Sequence, residues 1–165
     1  MRTIDQFNFS QKKAIIRVDF NVPIDNNKVT DTSRIKAAKK TIDKVCDDGG
    51  SCILVSHLGR PKGFQKEFSM THIINEVEQV LKRKVTLSKD VIGEDAKEKS
   101  SNLKPGQVLL LENVRFHKEE TLGGFEFAKE LSLMADCYIN DAFGTAHRAH
   151  ASTTIISSFF KDKFF

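Results

Sequence analysis

The chain has 165 residues, 39% of them hydrophobic and 29% charged, with a formal net charge of +4. That size suits one domain with a real core, and no stretch approaches the ~18 apolar residues a membrane span needs. Met1-Arg2-Thr3-Ile4-Asp5 has no apolar run behind its positive charge, so no secretory leader is expected and a cytoplasmic protein is. The three cysteines, Cys46, Cys52 and Cys137, are odd in number and lack C-x-x-C spacing, which argues against a disulfide framework or a zinc site. They read as buried thiols.

Ala14 to Phe20 is a short β-branched run and predicts a buried strand. Asn21-Val22-Pro23 ends it, and Asp25-Asn26-Asn27 is turn chemistry. A helix is expected from about Ser33 to Asp47, capped by Asp31, Thr32 or Ser33, with Ile35, Ala38, Ile42 and Val45 on one face and Gly49-Gly50 as its stop. Cys52 to Ser56 is the second strand. A glycine- and proline-bearing loop follows, and Ser69 is a candidate cap for a helix carrying Ile73, Ile74, Val77, Val80 and Leu81. Val85 to Leu87 predicts a third strand, Glu94 to Ser100 a polar helix, and Val108 to Leu111 a fourth strand. A helix over Phe125 to Met134, a fifth strand over Cys137 to Asn140 and a further helical start over Thr154 to Phe160 complete the series.

Strand and helix alternate throughout, and the strands are continuously apolar. This predicts an α/β domain: a doubly wound, Rossmann-like, mainly parallel sheet of five or six strands with helices on both faces. Ligands of such sheets bind beyond the carboxyl ends of the strands. The first strand is followed there by Asp19, Asn21 and Arg34, the second by Ser56, His57, Gly59 and Arg60, the fourth by Glu112, Asn113 and Arg115, and the fifth by Asp141, Gly144, His147, Arg148 and His150. Only seven of the 26 basic residues are arginine, yet Arg17, Arg34, Arg60, Arg115 and Arg148 all fall in or just beyond apolar runs. Guanidinium donates paired hydrogen bonds to carboxylate or phosphate, so this edge suits a small, highly oxygenated anion.

Each piece also has a purely structural reading. Asp19 and Asn21 cap loops in many proteins, His57 can be a loop histidine bonded to backbone, and Arg115 can pair with Glu112. His147 and His150 lack a third ligand, so no metal is expected. No G-x-x-x-x-G-K-[ST] loop, G-x-G-x-x-G turn or G-x-S-x-G elbow occurs.

Four post-strand segments carry a resemblance to the phosphoglycerate kinase family. Arg17-Val18-Asp19-Phe20-Asn21-Val22-Pro23 resembles its first signature, and Ser56-His57-Leu58-Gly59-Arg60-Pro61-Lys62-Gly63 its second. Glu112-Asn113-Val114-Arg115-Phe116 resembles the third, and the run Asn140 to His150 the fourth. They stand in family order over essentially the whole chain. The resemblance implies phosphoryl transfer between 1,3-bisphosphoglycerate and ADP in glycolysis. The phosphoglycerate would sit on an N-terminal domain, here residues 1–165, and Mg2+ with ATP or ADP on a C-terminal domain outside this chain. It implies that Asp19 and Asn21 contact the glycerate end, and that His57, Arg60, Arg115 and Arg148 surround the substrate phosphate. Arg34 would stabilise the transferring group as the catalytic residue, with Arg17, Gly144 and His147 in support. No cofactor is expected within the chain, nor any nucleic-acid or membrane partner. A monomer is expected, inactive alone but binding 3-phosphoglycerate or 1,3-bisphosphoglycerate. The alternatives are a non-catalytic anion-binding module and a structural folding fragment. The segment between Phe116 and Phe125 is short for the family, and the Phe159–Phe165 tail is too apolar for a free terminus.

Overall fold

The computed structural model describes residues 2–142 and 148–165. Gly144 and His147 lie outside the described residues. The elements are β1 (Lys13–Arg17), β2 (Ile24–Asp25), β3 (Lys28–Val29), α1 (Ser33–Asp47), β4 (Ser51–Val55), α2 (Ile74–Leu81), β5 (Val85–Leu87), α3 (Glu94–Ser101), β6 (Val108–Leu110), α4 (Phe125–Ser132), β7 (Cys137–Asn140) and β8 (Lys163–Phe164). Asn26 and Asn27 both take the left-handed conformation, which lets two residues turn the β2–β3 hairpin.

Six strands form one parallel sheet in the order β5-β6-β4-β1-β7-β8. Alternate residues feed two cores, as the period of a strand requires. Ala14, Ile16, Cys52, Leu54, Val108 and Leu110 face one side, where Ile35, Ile42 and Val45 of α1 and Val77 and Leu81 of α2 cover them. Ile15, Ile53, Val55, Leu109 and Tyr138 face the other, under Ala96 of α3 and Phe127, Ala128 and Leu131 of α4. The expected doubly wound α/β sheet is therefore present, with helices on both faces and six strands. Among the described residues no helix is long and apolar enough to cross a membrane.

Local departures have local causes. Ser69 accepts from the Thr71 amide and caps a 3-10 turn at Met70–His72, so α2 starts later, at Ile74. The helical start expected near Thr154 is a 3-10 stretch, Ile155–Phe159. The tail divides: Phe164 is 1% exposed and Phe165 58% exposed. Phe164 lies in β8 with its ring 5.1 Å from Phe7 and 5.7 Å from Phe9. Arg2 covers Phe7 and Phe164 and bridges to Asp162 at 2.8 Å, which fastens the two ends of the chain side by side.

The register aligns the carboxyl ends of the four central strands. Arg17 is opposite Val55 on one side and Asn140 on the other, and Leu54 is opposite Leu110. The chain leaves each strand at the same edge, so distant segments meet there. Asp141 stands just past β7 on this edge, half-buried beside Thr41 of α1, and burial raises its carboxyl to about 6.

Phe164→Ala should destabilise the chain by about 3–5 kcal/mol through loss of a buried aromatic ring, read as a lower urea midpoint with an unchanged slope. Asp141 is protonated more readily folded than unfolded, where its value is 3.8. Stability should therefore fall as pH rises from about 4 to about 6 on its account. Asp141→Asn should remove that slope and gain on the order of 1 kcal/mol above pH 6, after allowance for its partial exposure. Equal slopes in the two proteins would contradict this assignment.

Candidate functional site

The carboxyl-edge site is built around Arg17, the last residue of β1, which has no exposed surface. Nε donates to Ser152 Oγ at 2.8 Å, one terminal nitrogen donates to the Val18 carbonyl, and the other donates to His57 Nδ1 at 3.0 Å. Burial lowers the affinity of this guanidinium for its proton, and the Glu120 carboxylate opposes that effect. A guanidinium only donates, so Nδ1 of His57 must accept. The proton of the neutral ring then resides on Nε2. His57 is 5% exposed and is pushed down to about 3, first by burial and then by Arg17, Arg115, His150 and Arg34. It is a neutral donor across the physiological range.

Glu120 supplies the counter-charge. Its two oxygens accept from the Ser152 amide at 2.8 Å and the Ser152 hydroxyl at 2.6 Å, and its carbonyl accepts from the Ala151 amide at 2.8 Å. Glu120 thereby ties the segment before α4 to residues 151–152 and, through Ser152, to Arg17. Glu112 works similarly nearby, accepting from Ser69 Oγ, the Met70 amide and the Asn113 amide at 2.6–2.8 Å. Both Glu112 oxygens are thus used internally, and no Arg115–Glu112 ion pair forms among the described residues. Asn113, wholly buried, donates to the Leu58 and Phe68 carbonyls at 2.7 and 2.9 Å and accepts from the Arg115 amide at 3.0 Å. It locks the loop after β4 to the turn that carries Arg115.

The first loop is held in the same manner. Ser56 accepts from the Phe20 amide, and Asn21 Oδ1 accepts from the Gly59 amide at 2.8 Å. Gly59 has φ +64°, and a Cβ there would lie 2.4 Å from the Phe68 ring, so only glycine permits this approach. Arg34, on the first turn of α1, donates to the Asn21 carbonyl and reaches Asp19 at 3.5 Å while its side chain stays half exposed. Asp19 also accepts from the Asn21 amide at 3.1 Å.

The cations converge on what remains. Arg115 loses proton affinity first through burial and then through Arg17, Arg148 and Arg60, against the pull of Glu120. His150 is lowered first by burial, with Arg115, Arg148 and Arg17 adding to the effect and Glu120 opposing it. Arg115 Nε and His150 Nδ1 are buried with no hydrogen-bond partner among the described residues. Arg60 and Arg148 are exposed at the rim. Arg17, Asp19, Asn21, Arg34, His57, Arg60, Arg115 and Arg148 are thus linked by contact or by field on one edge. Sequence reasoning gathered His150 there without giving it a role, and it missed Glu120 and Ser152. No spacing marks Glu120 or Ser152, since each gains meaning only from the other.

The sequence profile described as phosphoglycerate kinase matches residues 4–165. A phosphoglycerate kinase of Porphyromonas gingivalis is 50% identical over 96% of this chain and 44% of its own length. One from Campylobacter jejuni is 48% identical over 98% of this chain and 40% of its own. The phosphoglycerate kinase structure from Coxiella burnetii superposes with a TM-score of 0.89 at 37% identity, covering 99% of this chain and 41% of that one. That from Pyrococcus horikoshii OT3 also gives 0.89, at 30% identity, with 99% and 42% covered. The chain spans about two fifths of the length of these relatives. Matched along nearly all of its residues in both sequence and backbone, it belongs to the phosphoglycerate kinase family.

Proposed function

We propose that this chain is the phosphoglycerate-binding N-terminal domain of a glycolytic kinase that moves a phosphoryl group between 1,3-bisphosphoglycerate and ADP. The observation that carries the reading is the convergence of Arg17, Arg115, Arg148, His57 and His150, with Arg115 Nε and His150 Nδ1 buried and unpartnered among the described residues. Buried polar nitrogens normally have partners, and a phosphate or carboxylate of phosphoglycerate supplies them. His57 contributes a neutral Nε2–H. Arg60 and Arg148 close on the phosphate from the rim, and the supporting role of Gly144 and His147, which lie outside the described residues, is only what the family resemblance implies. Asp19 and Asn21 take the glycerate hydroxyl and carboxylate end. Arg34, tethered to both but half exposed, is the cation free to follow charge onto the transferring group, where the chemistry is mainly positioning and charge neutralisation.

Among the described residues no three His, Cys, Asp or Glu side chains converge on a metal position. The buried carboxylates Glu112 and Glu120 are committed to internal hydrogen bonds. In this reading, as the family resemblance implies, magnesium and ATP or ADP are held by a C-terminal domain of the whole enzyme, and the present chain is a cytoplasmic monomer that binds substrate without turning it over.

Titration with 3-phosphoglycerate should shift the amides of Asn21, His57, Arg60, Arg115 and Arg148, while MgADP should leave them in place. Arg115→Ala should weaken 3-phosphoglycerate binding about tenfold or more, as loss of a charge-assisted contact does. A folded chain that ignores 3-phosphoglycerate, or answers to MgADP alone, would refute the assignment. With the C-terminal remainder of a relative added in MgATP, phosphorylation of 3-phosphoglycerate should appear, and Arg34→Ala should abolish most of it.

A further inference from the structure

All three cysteines are reduced and buried. Cys137 is pushed up to about 12 by burial, as an inert core thiol. Cys46 and Cys52 are arranged differently. Their sulfurs lie 3.8 Å apart across the turn that joins the end of α1 to β4. Cys52 is wholly buried and its thiol also approaches the Ile42 carbonyl at 3.9 Å, whereas Cys46 is 7% exposed at the rim of the core. The Cys46 thiol is held below its ordinary range, first by the hydrogen bond from Cys52 and also by the charge of Arg83, which Asp43 and Asp47 hold at 3.2 Å. Burial pushes Cys52 well up. One sulfur is the more reactive nucleophile and its neighbour keeps its proton.

We propose that Cys46 and Cys52 form a redox-active dithiol that hydroperoxides convert to an intramolecular disulfide. The Cys46 thiolate attacks a peroxide oxygen, the O–O bond breaks, and the departing hydroxide takes up the proton released by Cys46 and leaves as water. Cys46 is then a sulfenic acid. The Cys52 sulfur attacks the Cys46 sulfur, the S–O bond breaks as the S–S bond forms, and the hydroxyl leaves with the Cys52 proton as a second water. The two thiols lose two electrons together, and one hydrogen peroxide is reduced to two waters.

Contact geometry favours this closure. The sulfurs must approach from 3.8 Å to about 2.05 Å, and the turn between them already holds the two ends together. Gly49 has φ +92°, and a Cβ at Gly50 would lie 2.6 Å from the Phe9 carbonyl oxygen, so the turn packs closely against the N-terminal segment. In a reducing compartment such a bond is transient, as sensing disulfides are. It would cross-link α1, the helix that carries Arg34 at its other end, to the central strand β4.

The test treats the full chain with hydrogen peroxide at neutral pH, then denatures it in an alkylating reagent and digests it with trypsin. Both cysteines fall in one peptide, residues 45–62, because the Arg60–Pro61 bond resists cleavage. That peptide should be lighter by two hydrogen atoms and should take up no alkylating group until dithiothreitol is added. In Cys52→Ala the reaction should stop at a Cys46 sulfenic acid that a 1,3-diketone traps. In Cys46→Ser, Cys52 should remain alkylatable. Two alkylatable thiols in peroxide-treated native chain, when an unfolded control has oxidised, would overturn the proposal. So would a Cys46 sulfinic acid beside untouched Cys52, or a bond to Cys137.

Discussion

A guanidinium with no exposed surface terminates the first strand, and the carboxyl edge is organised by the need to satisfy it. Burying a charge is costly unless it is paired and hydrogen-bonded. Arg17 meets that demand with three partners from three parts of the chain: the Val18 carbonyl, the ring of His57 after β4, and the hydroxyl of Ser152 beyond β7. The negative charge comes from Glu120, one hydrogen bond further away. The segments that satisfy Arg17 are the same ones that bring Arg115, Arg148 and His150 within one another's field.

The same bonds set the chemistry of individual groups. His57 stays neutral because it is buried and because its accepting nitrogen faces a permanent cation, and so its other nitrogen is a fixed donor. Arg115 is drawn partly into the protein beside other cations, with Glu120 as the opposing charge. Preorganised donors of this kind lose little entropy when an anion arrives. Arg34 is the contrast. It rests on Asn21 and Asp19 at the mouth of the site, on a surface pair that screening makes weak. A cation held so loosely can change partner when charge moves.

Helix α1 links two regions of different character. Its N-terminal turn presents Arg34 to the edge, and its C-terminal turn places Cys46 against Cys52 at the opposite end of the sheet. Between them, Ile35, Ala38, Ile42 and Val45 fix the helix on the core. Fifteen residues thus join the exposed cation of the candidate site to a thiol pair remote from it.

Sequence alone determined the alternation of elements, since short continuous apolar runs and helical faces such as Ile35, Ala38, Ile42 and Val45 follow from local geometry. It also brought most of the edge into view, because in a parallel sheet every strand delivers its next residues to the same side. Tertiary structure decided the rest. The burial of Phe164 beside Phe7 and Phe9 joins residues from opposite ends of the chain, and no window of sequence contains all three. Glu120 reads as one more acidic residue in Lys118-Glu119-Glu120 until Ser152 closes on it. Whether Arg115 pairs with Glu112 could not be read from their spacing, because Ser69 and Met70 claim the carboxylate first. The neutral state of His57 and the contact of Cys46 with Cys52 likewise depend on burial and on distances across the fold. Those arise only when the segments pack, which is why composition and spacing reveal the elements and the edge but not the charge state or the partners of the groups upon it.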